Sequence, residues 1–141
     1  ARPPPVRNRQ PDHPVQEGRT VGRPVVHFEI IGSDPAELRS YYGELFGWEF
    51  QTGDATSDAV SEAGNYGFVD GAGMNGGVGG GEGYEGRVLF YVGVPNVEEV
   101  LQTAERLGGK RRLGPVGTPG TLVVGRFADP EGNLIGVAGT E

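Results

Sequence analysis

The chain has 141 residues, a formal net charge of -7 and no cysteine. That length suits one domain with a real core, and the acidic balance argues against a nucleic-acid partner. The missing thiols exclude disulfides, thiolate metal sites and cysteine nucleophiles, and no apolar run approaches the ~20 residues of a membrane span.

Residues 1–23 hold five prolines and five arginines, few aliphatic residues and no aromatic ones. Such a segment buries too little surface to offset its ordering entropy, so it reads as a flexible basic tail ahead of a domain over 24–141. Its first residues, Ala1-Arg-Pro-Pro-Pro, carry no apolar signal core, and cytoplasmic residence is the expectation.

The pattern changes at Val25. Val25 to Ile31 alternates with period two, which predicts a strand. Val26, Phe28 and Ile30 share the face expected to pack on a core, while His27 and Glu29 share the other. Asp34-Pro-Ala-Glu37 predicts a helix start with Asp34 as cap, Pro35 in the first turn and Glu37 completing a capping box. Leu38, Tyr41, Tyr42 and Leu45 recur at helical spacing, and Gly47 is the expected terminator. Trp48 to Gln51 and Asn65 to Val69 predict two further strands. A fourth is expected near Asn75–Gly80, inside the glycine-rich stretch Gly71 to Gly86.

The order then repeats. Arg87 to Val94 predicts a strand, Asn96-Val-Glu-Glu99 a second capping box, and Val100, Leu101, Ala104 and Leu107 an apolar helical stripe ended by Gly108 and Gly109. Lys110 to Leu113, Leu122 to Ala128 and Asn133 to Ala138 are the closing strands, the last two joined by the turn Asp129-Pro-Glu-Gly132. At an offset of 62 residues Val26 matches Val88, Phe28 matches Phe90, Asp34 matches Asn96, Glu37 matches Glu99 and Gly47 matches Gly109. Shared caps and terminators at one spacing imply a duplicated βαβββ unit, with halves over about 24–84 and 85–141.

Tandem βαβββ units, the run Tyr41-Tyr-x-x-Leu-Phe-Gly-Trp48 after Asp34-Pro, and the hairpin Gly125-Arg-Phe-Ala-Asp-Pro-Glu-Gly-Asn133 resemble the vicinal-oxygen-chelate superfamily of glyoxalases, bleomycin-resistance proteins and extradiol dioxygenases. The resemblance covers roughly residues 23–141. It implies an α+β fold, a mixed sheet curled into a cup with helices outside, and a homodimer. It also implies four metal-ligand positions. One matches His27; two others fall on Leu89 and Gly136, and Asn75–Gly80 offers no His or Glu. One imidazole does not close a first shell, so no metal or other cofactor is expected.

His27 and Glu29 stand about 6 to 7 Å apart on one strand face. They can form a structural pair, act as acid and base, or both reach a ligand. Tyr91, the repeat mate of Glu29, enters the cup from the other half. Leu89, Trp48 and Arg126 complete the candidate ligand-binding set; Arg126 can bind an anion or pair with an acidic surface residue, and Trp48 can pack instead. The glycine-rich stretch lacks the Gly-Lys-Ser/Thr ending of a phosphate loop and suits a wall or lid of the cup. No Gly-x-Ser-x-Gly elbow occurs.

Three functions follow in order of preference. The first is binding, or sequestration, of a small organic molecule in the cup. The second is metal-independent proton transfer with His27 and Glu29 as the catalytic pair. The third is divalent-metal glyoxalase or dioxygenase chemistry, with ligands from a second subunit or from Glu82.

Overall fold

The computed structural model describes residues 22–53 and 58–141; most of the N-terminal tail lies outside the described residues. The elements follow the order β1 (Val25–Gly32), α1 (Pro35–Phe46), β2 (Gln51–Gly53), β3 (Tyr66–Val69), β4 (Gly76–Gly80), β5 (Arg87–Gly93), α2 (Val97–Arg106), β6 (Lys110–Thr118), β7 (Leu122–Ala128) and β8 (Leu134–Gly139). This is the duplicated βαβββ unit. The strands form one eight-stranded mixed sheet in the order β2-β3-β4-β1-β5-β8-β7-β6. β1 and β5 lie antiparallel at its centre, and each pairs in parallel with the last strand of its own half, β4 or β8. Among the described residues no helix is long and apolar enough to cross a membrane.

Local chemistry starts both helices. The Asp34 side chain accepts from the Glu37 N–H at 3.1 Å, and Asn96 accepts from Glu99 at 3.0 Å. Each satisfies a donor that the helix itself leaves open. Gly47 ends α1 at φ 75, a left-handed conformation that favours glycine.

α2 packs its apolar stripe on the convex side of the second half. Val97 and Leu101, both fully buried, meet Val123 and Val137, with Val92, Val94 and Phe127 around them. α1 departs from expectation. Its predicted stripe is not a buried one, since Tyr41 and Leu45 are more than half exposed and Pro35 is its one buried residue. Tyr42 instead stacks on Phe46 and Trp48, which also meets Phe28 and Phe50. This aromatic packing involves Trp48 and Phe50, and the strand β2 begins only at Gln51, three residues later than the pattern predicts.

The two faces of β1 also reverse the simple reading. Val26 on the apolar face is 39% exposed, whereas Glu29 on the polar face is 2% exposed. The seam between the two helices leaves the convex side of β1 and β5 uncovered. The concave side is closed by side chains that satisfy one another.

Candidate functional site

The concave face collects His27, Glu29 and Ile31 from β1, Arg87, Leu89 and Tyr91 from β5, and Tyr66 from β3. Cross-strand register sets His27 opposite Tyr91 and Glu29 opposite Leu89. Arg126 of β7 lies opposite Gly136 of β8, which in turn lies beside Tyr91. The carboxylate of Glu29 is the hub. Its Oε1 accepts from the Tyr66 hydroxyl at 2.8 Å, and its Oε2 accepts from the Tyr91 hydroxyl at 2.9 Å and from an Nη2–H of Arg126 at 2.5 Å. Arg126 Nε–H donates to the Tyr91 oxygen at 3.1 Å. All four of these residues are at most 5% exposed.

His27 joins at the edge. Its Nε2 lies 2.8 Å from the Tyr66 oxygen. Tyr66 has one hydroxyl proton, and that proton goes to Glu29, so its oxygen can only accept from His27. Neutral His27 therefore carries its proton on Nε2. Its Nδ1 lone pair has no partner among the described residues. Burial lowers the His27 pKa, and the Glu29 charge opposes this without reversing it. Burial, reinforced by Glu29, raises both tyrosine hydroxyls, so they stay protonated donors. Burial works against the charge of Arg126, but Tyr91 and Glu29 outweigh it and raise its pKa.

A depressed folded-state pKa fixes the sign of one pH effect. The unfolded chain binds the His27 proton near 6.5, before the folded chain does. The His27 contribution to stability is complete above that pH and is lost as pH falls through the folded-state pKa. Urea unfolding of the wild type should weaken from pH 7.5 to 5.5 more steeply than that of His27→Gln. Equal slopes would show that His27 titrates alike in both states.

Glycines make room for the two tyrosines. A Cβ on Gly77 or Gly79 would overlap the Tyr66 ring, and one on Gly136 would overlap the Tyr91 ring. Gly77 lies beside Glu29, and Gly136 lies beside its repeat mate Tyr91. The two halves therefore place a glycine at the same point, and a tyrosine ring fills each gap.

The structure thus brings His27, Glu29, Tyr91 and Arg126 into one hydrogen-bonded chain, with Leu89 buried beside it at 4% exposure. Arg126 turns inward to Glu29 and not to an acidic surface residue. His27 and Glu29 do not meet directly; the Tyr66 hydroxyl bridges them. Of the two readings of Trp48, packing is the one present: it meets Phe28, Tyr42 and Phe46 on the helix side of the sheet and does not join the ligand-binding set in the cup. Tyr66 was missed. Its signal is the alternation of Gly77 and Gly79, whose empty places call for a large ring from the neighbouring strand.

A cavity of about 300 Å³ opens beyond Glu29 on the same side. Ile31, Val60 and Tyr84 supply its apolar wall, Arg126 lines it, and Arg87 and Glu85 also border it. Ile31 and Val60 are buried in a small cluster with Tyr66, against which Tyr84 and Leu113 pack.

A model of the glyoxalase-like domain matches residues 25–138. The chain belongs to this glyoxalase-like family. The vicinal-oxygen-chelate resemblance seen in the sequence holds in the fold as well. A hypothetical protein from Bacillus halodurans superposes with a TM-score of 0.63 at 12% identity, covering 86% of this chain and 96% of that one. A methylmalonyl-CoA epimerase of Streptomyces coelicolor, in complex with 2-nitronate-propionyl-CoA, gives 0.59 at 11% identity over 84% and 94%. The Mn(II)-bound glyoxalase from Novosphingobium aromaticivorans gives 0.53 at 19% over 82% of this chain and 38% of that one. At these identities the likeness is one of fold. No match is found among curated proteins.

The metal that the glyoxalase name implies does not fit these residues. Among the described residues no three His, Asp or Glu side chains converge. Two of the ligand positions implied by the resemblance are Leu89 and Gly136, and Gly136 is covered by the Tyr91 ring. Glu82, the fallback ligand, is exposed just after β4. The Glu29 charge is already met by a guanidinium.

Proposed function

We propose that this glyoxalase-like chain binds a small organic molecule on the concave side of its sheet and holds no divalent ion there. The observation that carries this reading is the engagement of Glu29: both its oxygens are taken, by Tyr66, Tyr91 and Arg126. The centre of the cup is built as a rigid polar floor, and the cavity beside it is of ligand size. Sequestration suits such a site better than chemistry that needs an ionised, accessible carboxylate. A small-molecule screen by protein-observed NMR tests this. The expected result is one-to-one binding that shifts Ile31 and Tyr84 without turnover. Hits that leave those residues unmoved would contradict it.

The Nδ1 atom of His27 supports a second reading, proton transfer without a metal. The half-buried imidazole is neutral near pH 7 and held by Tyr66 in one tautomer, which suits a base. Turnover of a bound compound that His27→Gln abolishes while binding persists would favour this reading.

The exposed seam of β1 and β5 suits a second copy of the chain. Val88 is 71% exposed, Phe90 40% and Val26 39%, and all three lie on the convex side between the helices. Val88→Asp should weaken self-association by at least about tenfold in sedimentation velocity, since a carboxylate would be buried without a partner. An unchanged monomer–dimer distribution would place the interface elsewhere.

A further inference from the structure

The cavity beside Glu29 carries more chemistry than its size. Arg126 lines it and is 5% exposed. A guanidinium has five N–H donors. One, on Nε, goes to Tyr91, and one, on Nη2, goes to Glu29. No described residue accepts from Nη1. The Glu29 carboxylate accepts from Tyr66, Tyr91 and Nη2 and makes no contact with Nη1. Buried donors of this kind are normally met by protein, water or ligand, and with Nη1 unmatched among the described residues Arg126 can present a donor to the cavity it lines.

A second cation borders the same space. Arg87 stands opposite Ile31 in the sheet register, so its side chain rises from the concave face beside the cavity wall. Among the described residues its one carboxylate contact is Glu85 at 3.8 Å, with side-chain exposures of 38% and 85%. An ion pair that open is weak and exchanges readily with solvent or ligand. Among the other lining residues, Ile31 at 4% and Val60 at 6% exposure and the half-buried ring of Tyr84 are the large apolar side chains, beside Ala59, Gly83 and Glu85. The Tyr84 hydroxyl is engaged by the Asp58 carbonyl oxygen, which fixes the ring.

We propose that this cavity takes a small organic monoanion, a carboxylate on an apolar or aromatic body, with the carboxylate on Arg126 and Arg87 and the body against Ile31, Val60 and Tyr84. This rests on the reading of the concave side as a small-molecule site and names the chemical class of its ligand. The planar guanidinium edge matches a carboxylate in shape and charge. Glu29 and Glu85 offset the two guanidinium charges when the cavity is empty, so an anion is held by directed hydrogen bonds and by displacing the open Glu85 contact, and each further negative charge is opposed by those carboxylates. An organic cation would face two guanidinium groups.

Benzoate and its neutral isostere benzamide are suitable probes of the full chain, observed by NMR at the Ile31 methyl groups and the Arg126 Nε–H. Benzoate is expected to shift both, to saturate, and to bind about tenfold or more tightly than benzamide. Arg87→Gln should weaken benzoate by about tenfold and leave benzamide unchanged. Arg87 is outside the buried network, so its thermal midpoint should match the wild type. Equal affinities for the two probes at these residues, untouched by Arg87→Gln, would overturn the anion assignment and leave the small-molecule reading standing. Shifts by neither probe, in a variant and wild type that are both folded, would overturn the cavity as a site and the small-molecule reading with it.

Discussion

Arg126→Ala should destabilise the fold by about 3–5 kcal/mol, the usual cost of leaving one member of a buried ion pair alone. The Glu29 carboxylate would remain at 2% exposure with two phenols as its donors. Its charge would have no counter-charge among the residues bonded to it. Glu29→Gln should fall in the same range, because it strands a guanidinium that is 5% exposed. The two losses should not add. Once Glu29 is neutral, removing Arg126 takes away a charge that has already lost its partner, so the double variant should be well short of the sum. Urea unfolding of the four proteins at pH 7 measures this cycle. A loss below about 1 kcal/mol for Arg126→Ala would mean that the pair behaves as an exposed one.

Gly77→Ala and Gly136→Ala should each cost about 1–3 kcal/mol, although neither removes a contact. Each adds a methyl group where a tyrosine ring already lies, Tyr66 in the first case and Tyr91 in the second. Both rings are tied through their hydroxyls to Glu29, so they cannot swing aside without breaking a buried hydrogen bond. Strong coupling in the pair Gly136→Ala with Tyr91→Ala is therefore expected, because the small side chain relieves the overlap. Thermal unfolding would show it as a double variant more stable than the sum of its parts predicts. Wild-type stability in Gly136→Ala would show that the ring has room to move.

The duplication was legible because it rests on local signals. Asp34 and Asn96 cap, Glu37 and Glu99 follow three residues later, and both caps are present as hydrogen bonds. The fourth strand, expected near 75–80 on repeat logic alone, lies at Gly76–Gly80, where propensity would have denied it. The Phe28 ring covers Gly76 and the Tyr66 ring covers Gly77 and Gly79, while Gly80, at φ 126, approaches the Gly32 backbone. What the sequence could not disclose is which way a side chain turns when strand parity leaves it open. Arg126 was balanced between cup and surface until the register against Gly136 set it inward. Trp48 packs on the preceding helix, as its place just after the Gly47 terminator favours, so the strand predicted from Trp48 begins only at Gln51. Tyr66 was passed over because its part depends on two glycines eleven and thirteen residues away. The burial of the polar face of β1 exceeds that of its apolar face for a similar reason. Period-two patterning assigns faces, but the satisfaction of Glu29 by partners from three other strands decides which face is closed.

The most direct test of the claim that this glyoxalase-like cup is built for an organic ligand and not a metal is calorimetric titration of the purified, tag-free protein with zinc, nickel, manganese and iron(II). With Glu29 held by Arg126, Leu89 in place of one ligand and the Tyr91 ring over Gly136, no saturable one-to-one binding is expected at neutral pH. Tight stoichiometric binding that disappears in His27→Ala would contradict it, and would mean that the Glu29–Arg126 pair opens to admit an ion.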